Sequence, residues 1–177
     1  TYVSKPVVIV GASMGGLRAA ETLRKSGYAG PLVVIGDEPH APYNRPPLSK
    51  EVLAEDVSHA AVAFPLAEIL DDVEWVLGSP VVATDLDAQT VTLANGTSVE
   101  YSSLVVATGL RPRRLNLPGQ PAHGVHAIRT LDDAMRLRGE LIPGARVVVF
   151  GAGFIGCEAA ATATKLGCNV TVVGKGS

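Results

Sequence analysis

The chain has 177 residues, 47% of them hydrophobic and 18% charged, with a formal net charge of -2. That balance supplies ample material for a core and excludes a disordered chain; it equally excludes a basic protein held to nucleic-acid phosphates. No apolar run reaches the roughly eighteen residues a membrane helix needs, and the first residues lack a secretory leader pattern, so a soluble, cytoplasmic protein without a membrane partner is expected. Cys157 and Cys168 lack the C-x-x-C spacing of a redox or zinc pair and are expected as two small buried side chains. His40, His59, His123 and His126 have no ligand spacing with them, so no metal site is expected.

In chain order, VVIV at Val7 to Val10 reads as a buried strand. GASMGG at Gly11 to Gly16 follows. LRAAETLRKSG then places Leu17, Ala20 and Leu23 at helical spacing, and Gly27 is a natural stop. LVVI at Leu32 to Ile35 is the next strand, which completes a βαβ unit with parallel strands. HAPYNRPPLSKEVL is a proline-broken loop running into a helix start. VEWVLG, SPVVATDLDAQTVTLANGTSVEY and SSLVVATG read as short strands, with a hairpin turn at Ala94 to Gly96. LDDAMRLRGEL is a helix and PGA a turn.

A second unit then repeats the first. RVVVF is its strand, GAGFIG at Gly151 to Gly156 its turn, CEAAATATKLG its helix and NVTVV at Asn169 to Val173 its second strand. Aligning Gly11 with Gly151 pairs Gly16 with Gly156, Ala20 with Ala160, Lys25 with Lys165 and Gly27 with Gly167. Two nucleotide-binding units account for this repeat. Because the second stops after two strands, the sequence is expected to be the N-terminal portion of a longer protein.

GAGFIG fits the G-x-G-x-x-G fingerprint through Gly151, Gly153 and Gly156. The glycines allow a tight turn and let a pyrophosphate approach the amides at a helix N-terminus. GASMGG keeps Gly11 and Gly16, but Ser13 stands where the middle glycine should be, and Gly15 adds slack beside the last one. Such fingerprints want an acid near the end of the second strand for a ribose hydroxyl. The first copy offers Asp37 and Glu38; the second offers Gly174 and Lys175, where the lysine would suit a 2'-phosphate. Glu158 is expected in the first turn of the second helix, where the helix dipole favours an acid.

The run from GASMGG through DEPHAPYNRPPLSKEVL, with LVVATGLRPRRL, GVHAIRTLDDAMRLR and RVVVFGAGFIGCEAAATATKLGCNVTVV, resembles the FAD-dependent, NAD(P)H-linked ferredoxin reductases. These serve bacterial Rieske dioxygenases and cytochromes P-450, and lie close to rubredoxin and putidaredoxin reductases. The resemblance covers essentially the whole chain, and PYNRPPLSK is its most specific part. It implies an α/β, Rossmann-like fold with two dinucleotide-binding domains, a parallel sheet and an antiparallel β-meander. Residues 1–115 would be the N-terminal part of the FAD-binding domain, 116–145 a connecting segment, and 146–177 the start of the NAD(P)-binding domain.

The resemblance also implies roles. Gly11, Ser13 and Gly16, with Gly15 beside them, would surround the FAD pyrophosphate, and Asp37 or Glu38 would meet the adenosine ribose. Arg45 would contact the FAD phosphates, Arg129 would be a further FAD-contacting arginine, and Val82 would address the adenine by its backbone. Ala107, Thr108 and Gly109 would pass close to the dinucleotide. Lys50 would lie near flavin N5, paired with Glu158 beside the flavin and the nicotinamide, and Gly151, Gly153 and Gly156 would take the second nucleotide. The implied activity is electron transfer from NAD(P)H through FAD to a 2Fe–2S ferredoxin-type partner of an oxygenase system. Arg111, Arg113, Arg114, Arg136 and Arg138 are candidates to face that acidic partner. An NADH oxidase, a nitrite-reductase-type flavoenzyme and a non-catalytic nucleotide-binding module are the alternatives, and the oligomeric state stays open.

Overall fold

The computed structural model describes residues 4–55, 57–115 and 117–174. They divide into two compact units: the described residues of Thr1–Asn44 with Ala63–Leu110, and those of Arg45–Val62 with Arg111–Ser177.

In the first unit the β-branched runs become strands, and the helical spacing becomes helix α1. In chain order its elements are β1 (Val7–Val10), α1 (Met14–Lys25), β2 (Leu32–Ile35), β3 (Glu74–Val76), β4 (Val81–Asp85), β5 (Thr90–Leu93), β6 (Ser98–Glu100) and β7 (Ser103–Val106). A parallel sheet takes the order β3-β2-β1-β7, while β4, β5 and β6 form an antiparallel meander. Strand alternation divides the core in two. Val7, Ile9, Leu32 and Val34 pack with Leu17 and Ala20 of α1, whereas Val8, Val33 and Ile35 pack with Val91, Leu93 and Tyr101 from the meander side. Helix, parallel sheet and meander are therefore three layers. Each fully buried valine, leucine or isoleucine among them, such as Ile9, Leu17 and Val34, stabilises the unit by roughly 1.5–3 kcal/mol.

Both meander turns are closed by local polar chemistry. Gly96 has φ +86 at the β5–β6 turn, where Leu93 N–H donates to Thr97 carbonyl at 2.8 Å. The β4–β5 turn, which no glycine marks, is held by the Asp85 carboxylate accepting from the N–H of Asp87 and Ala88.

In the second unit a 3-10 turn at Pro46–Ser49 leads into α2 (Glu51–Ala54) and α3 (His59–Val62). Then come α4 (Leu131–Glu140), β8 (Arg146–Phe150), α5 (Phe154–Lys165) and β9 (Asn169–Val173), with β8 and β9 parallel. Leu53, Leu141, Ala159, Ala163 and Cys168 form its core. Cys157 corrects the expectation of two buried cysteines, because it is exposed. The buried stripe of α5 begins only at Ala159 and continues through Ala160, Thr162 and Ala163. Among the described residues no helix is long and apolar enough to cross a membrane.

Candidate functional site

The first glycine turn is shaped by contacts that leave no room for side chains. Gly11 has φ +119, and a Cβ there would lie 2.1 Å from the Ala107 carbonyl oxygen. A Cβ on Gly16 would lie 1.8 Å from the Gly11 carbonyl oxygen. The turn is tied to the sheet on both sides: Gly11 N–H donates to Ile35 carbonyl and Ala107 N–H to Val10 carbonyl, each at 2.7 Å. Gly36 belongs to the same closure, since its Cβ would meet that of Ala12 at 2.6 Å. Sequence reasoning passed over Gly36, although a glycine directly after the second strand is the signal that both copies share.

Gly15 has a different reason to be glycine. Its Cβ would lie 3.6 Å from the Ala107 side chain, an ordinary contact, and the residue is exposed. Packing does not require glycine there, and a helical glycine costs about 0.5–1 kcal/mol relative to alanine. What its absent side chain leaves is space at the mouth of α1.

That mouth is electrostatically open. The first helical bond is Leu17 N–H to Ser13 carbonyl at 2.9 Å, so the preceding amides have no partner within the helix. Ser13 stands at the N-cap with extended backbone, makes no side-chain cap, and no acid occupies the first turn. Helix α4 shows the usual closure. Thr130 accepts from Asp133 N–H, the Asp133 carboxylate accepts from Thr130 N–H, and Asp132 and Asp133 both stand in the first turn. Left open, the start of α1 is fitted to an anion supplied from outside.

The other expected residues of this unit are placed as follows. Asp37 and Glu38 follow the end of β2; Asp37 is exposed, while Glu38 accepts a 2.5 Å hydrogen bond from the Tyr43 hydroxyl. Val82 is exposed and falls at the register irregularity of β4, between Val81 paired with Leu93 and Ala83 paired with Thr92. A bulge of this kind releases backbone groups from the ladder. Ala107, Thr108 and Gly109 directly follow β7, and Gly109 has φ +68.

In the second unit, α5 repeats the open start. Its N-cap is Gly153, no side chain caps it, and its first turn holds no acid. Glu158 is the fifth residue of α5, so it stands in the second turn, against the expectation of a first-turn acid: the helix begins at Phe154, not after Gly156. A Cβ on Gly156 would lie 2.0 Å from Gly151 carbonyl oxygen, which reproduces the close crossing of the first copy. Among the described residues a Cβ on Gly153 or Gly151 would meet nothing within 4 Å. Gly174 repeats Gly36, its Cβ 3.0 Å from that of Ala152. Lys175 lies outside the described residues.

Five charged or polar side chains expected or unexpected from the sequence meet here. Lys50 Nζ lies 3.3 Å from Glu158 Oε1, and Ser49 Oγ donates to Glu158 Oε2 at 2.6 Å. Arg45 Nη1 donates to the Arg129 carbonyl at 2.6 Å. Arg45, Ser49, Lys50, Arg129 and Glu158 line one open pocket of about 310 Å³, with Phe154 and Ile155 on its rim. The Ser49 hydroxyl, then Lys50, hold the Glu158 carboxyl below the usual carboxylate range against the opposing pull of burial. The Glu158 carboxyl is thereby favoured in its anionic form beside the Lys50 ammonium. Ser49 was missed in the sequence; its only signal is adjacency to Lys50. Of the expected basic group, Arg111, Arg113, Arg114 and Arg136 are exposed, Arg136 also binding Asp133 at 2.6 Å, while Arg138 is half-buried against α4's own end.

Comparisons with known proteins find likeness along nearly the whole chain. The family model described as pyridine nucleotide-disulphide oxidoreductase matches residues 5–177. Rhodocoxin reductase of Rhodococcus erythropolis is 44% identical over 169 residues, covering 94% of this chain and 40% of that protein. Among solved structures, the ferredoxin reductase for the CYP199A2 system from Rhodopseudomonas palustris superposes with a TM-score of 0.87 at 39% identity, over 96% of this chain and 42% of that one. The covalent putidaredoxin reductase–putidaredoxin complex gives a TM-score of 0.84 at 37% identity, over 95% of this chain and 42% of that one. The chain thus spans about two fifths of the length of the curated relatives it matches. With two glycine turns of one design, each opening an uncapped helix, and a family match along nearly all its length, the chain belongs to the pyridine nucleotide-disulphide oxidoreductase family.

Proposed function

We propose that this protein is a cytoplasmic, FAD-dependent NAD(P)H oxidoreductase that delivers electrons to a 2Fe–2S ferredoxin-type partner of an oxygenase system. The observation that carries the reading is the start of α1: uncapped, without an acid, and with an exposed glycine that packing does not demand. These residues fit a diphosphate. Ser13, Gly15 and Gly16 would hold it by main-chain amides, with Gly11 turning the chain beneath it and Ala107, Thr108 and Gly109 alongside. Asp37, rather than the Tyr43-bound Glu38, would take the adenosine ribose. Val82 would offer the bulge backbone to the adenine, and Arg45 and Arg129 would contribute positive charge. Gly151, Gly153 and Gly156 would receive the nicotinamide nucleotide at the start of α5.

When bound, FAD supplies the ability to take two electrons together and release them one at a time. The chain's own part is positioning and electrostatics. Lys50 provides a cation whose place is set by Glu158, 3.3 Å away. The relatives named for ferredoxin and rhodocoxin reduction support the same partner class for this chain, and the exposed Arg111, Arg113 and Arg114 suit an acidic docking face. The test is anaerobic addition of NADH and of NADPH to the purified full-length protein, followed at the visible band of oxidised flavin, then addition of a 2Fe–2S ferredoxin. Bleaching by either nucleotide and reoxidation by the ferredoxin are expected. Bleaching by neither would overturn the proposal.

A further inference from the structure

The two glycine-turn helices use one equivalent threonine in opposite ways. Alignment of Gly16 with Gly156 sets Arg18 against Glu158 and Thr22 against Thr162. The Thr22 hydroxyl donates to the Arg18 carbonyl at 2.7 Å, one turn back on its own helix, and Thr164 does the same to Ala160 at 2.8 Å. That is the default for a helical threonine. Thr162 instead donates to the Ser49 carbonyl at 3.2 Å, a bond buried and distant in sequence. One turn earlier on the same helix face, Glu158 accepts from the Ser49 hydroxyl. Helix α5 therefore grips Ser49 at two points, by its main chain and by its side chain, and Ser49 is buried with 4% exposure.

The consequence falls on the next residue. Lys50 links the 3-10 turn to α2, and its side chain is half-exposed. A long, partly solvated lysine has ample rotamer freedom, and a surface ion pair alone contributes little. Here the carboxylate is divided: Oε2 is taken by Ser49, which leaves Oε1 facing Lys50. Arg45 and Arg129 are the other charged groups on the same pocket, and Arg45 is engaged with the Arg129 carbonyl.

We propose that Ser49 and Thr162 are positioning residues: Thr162 anchors the Ser49 main chain, and Ser49 orients the Glu158 carboxylate so that Lys50 is held in a single place in the electron-transfer site. The assignment deepens the flavoenzyme reading and rests on it for its purpose, but its geometry does not need flavin. The Ser49 hydrogen bond is also the leading cause of the lowered Glu158 pKa.

The experiment is a pH titration of the Glu158 side-chain carboxyl by carbon-13 NMR in the full-length protein, assigned with Glu158→Gln. Ser49→Ala is expected to move the midpoint upward toward an ordinary carboxylate, and Ser49→Thr to return it. Thr162→Val is expected to shift it in the same direction, and Thr162→Ser to restore it, which gives a second pair should the first not fold. A midpoint unmoved by Ser49→Ala, or one that Ser49→Thr leaves as displaced as alanine does, overturns the proposal. Failure of the flavoenzyme reading looks different: the protein would hold no reducible flavin while these shifts persisted.

Discussion

The two strand–turn–helix units share a backbone plan and differ in what stands behind the turn. In both, the last glycine passes within about 2 Å, measured from a would-be Cβ, of the first glycine's carbonyl, and both first glycines have positive φ. Behind Gly11 the segment that follows β7 sets the Ala107 carbonyl against the turn; around Gly151 a Cβ meets nothing within 4 Å among the described residues. The first turn is thus doubly constrained, by its own dihedral and by a neighbouring strand. In the second, the described residues show the dihedral constraint.

Substitutions separate these causes. Gly11→Ala combines a left-handed φ with a backbone clash and is expected to destabilise the protein by more than about 4 kcal/mol, the range reserved for gross steric or burial faults. In the 177-residue chain Gly151→Ala carries the dihedral cost, about 1–3 kcal/mol. Chemical denaturation of both variants measures the difference, and equal losses would break the comparison. Helix α4, closed by its own residues, is the internal reference for the two open helices. Thr130→Ala there should cost about 1 kcal/mol.

The acid half of that capping box adds a pH dependence with a definite sign. Burial pushes the Asp133 carboxyl up, but the N–H and hydroxyl of Thr130, Arg136 and the Arg129 N–H outweigh it and bring its pKa below the ordinary value. A depressed folded-state pKa contributes stability above the unfolded-state value, and that stability is lost as pH falls through the folded one. Acidification should therefore narrow the stability gap between the parent and Asp133→Asn. The smallest effect on the fold of the 177-residue chain belongs to Gly153→Ala, whose Cβ at φ -80 meets nothing within 4 Å among the described residues. Its unfolding midpoint should stay within about 0.5 kcal/mol of the parent, while affinity for the nicotinamide nucleotide falls.

What was legible in the sequence was what is local. β-branched runs, helical spacing and turn glycines act within a few residues, and VVIV, LVVI, RVVVF and NVTVV all became strands over the expected residues. Lys50 and Glu158 were legible only because they sit in motifs. Ser49 and Thr162 were not, because their bonds span more than a hundred residues and Thr162 looks in sequence like Thr22 and Thr164, which turn back on their own helices. The β4–β5 turn escaped for a related reason: the Asp85 side chain does the work that a glycine usually signals. The Glu158 position slipped by a turn because the first two helical residues, Phe154 and Ile155, lie inside the glycine fingerprint.

The central claim is that the open start of α1 is kept open for a diphosphate, and Gly15→Asp tests it by setting stability against binding. An acid in the first turn complements the helix dipole by about 0.3–1 kcal/mol, yet it places negative charge where the diphosphate would lie. Flavin content and unfolding midpoint of the purified full-length variant, measured together, give the answer. The account predicts an undiminished midpoint and lost flavin. Flavin retained at the parent's level would contradict it.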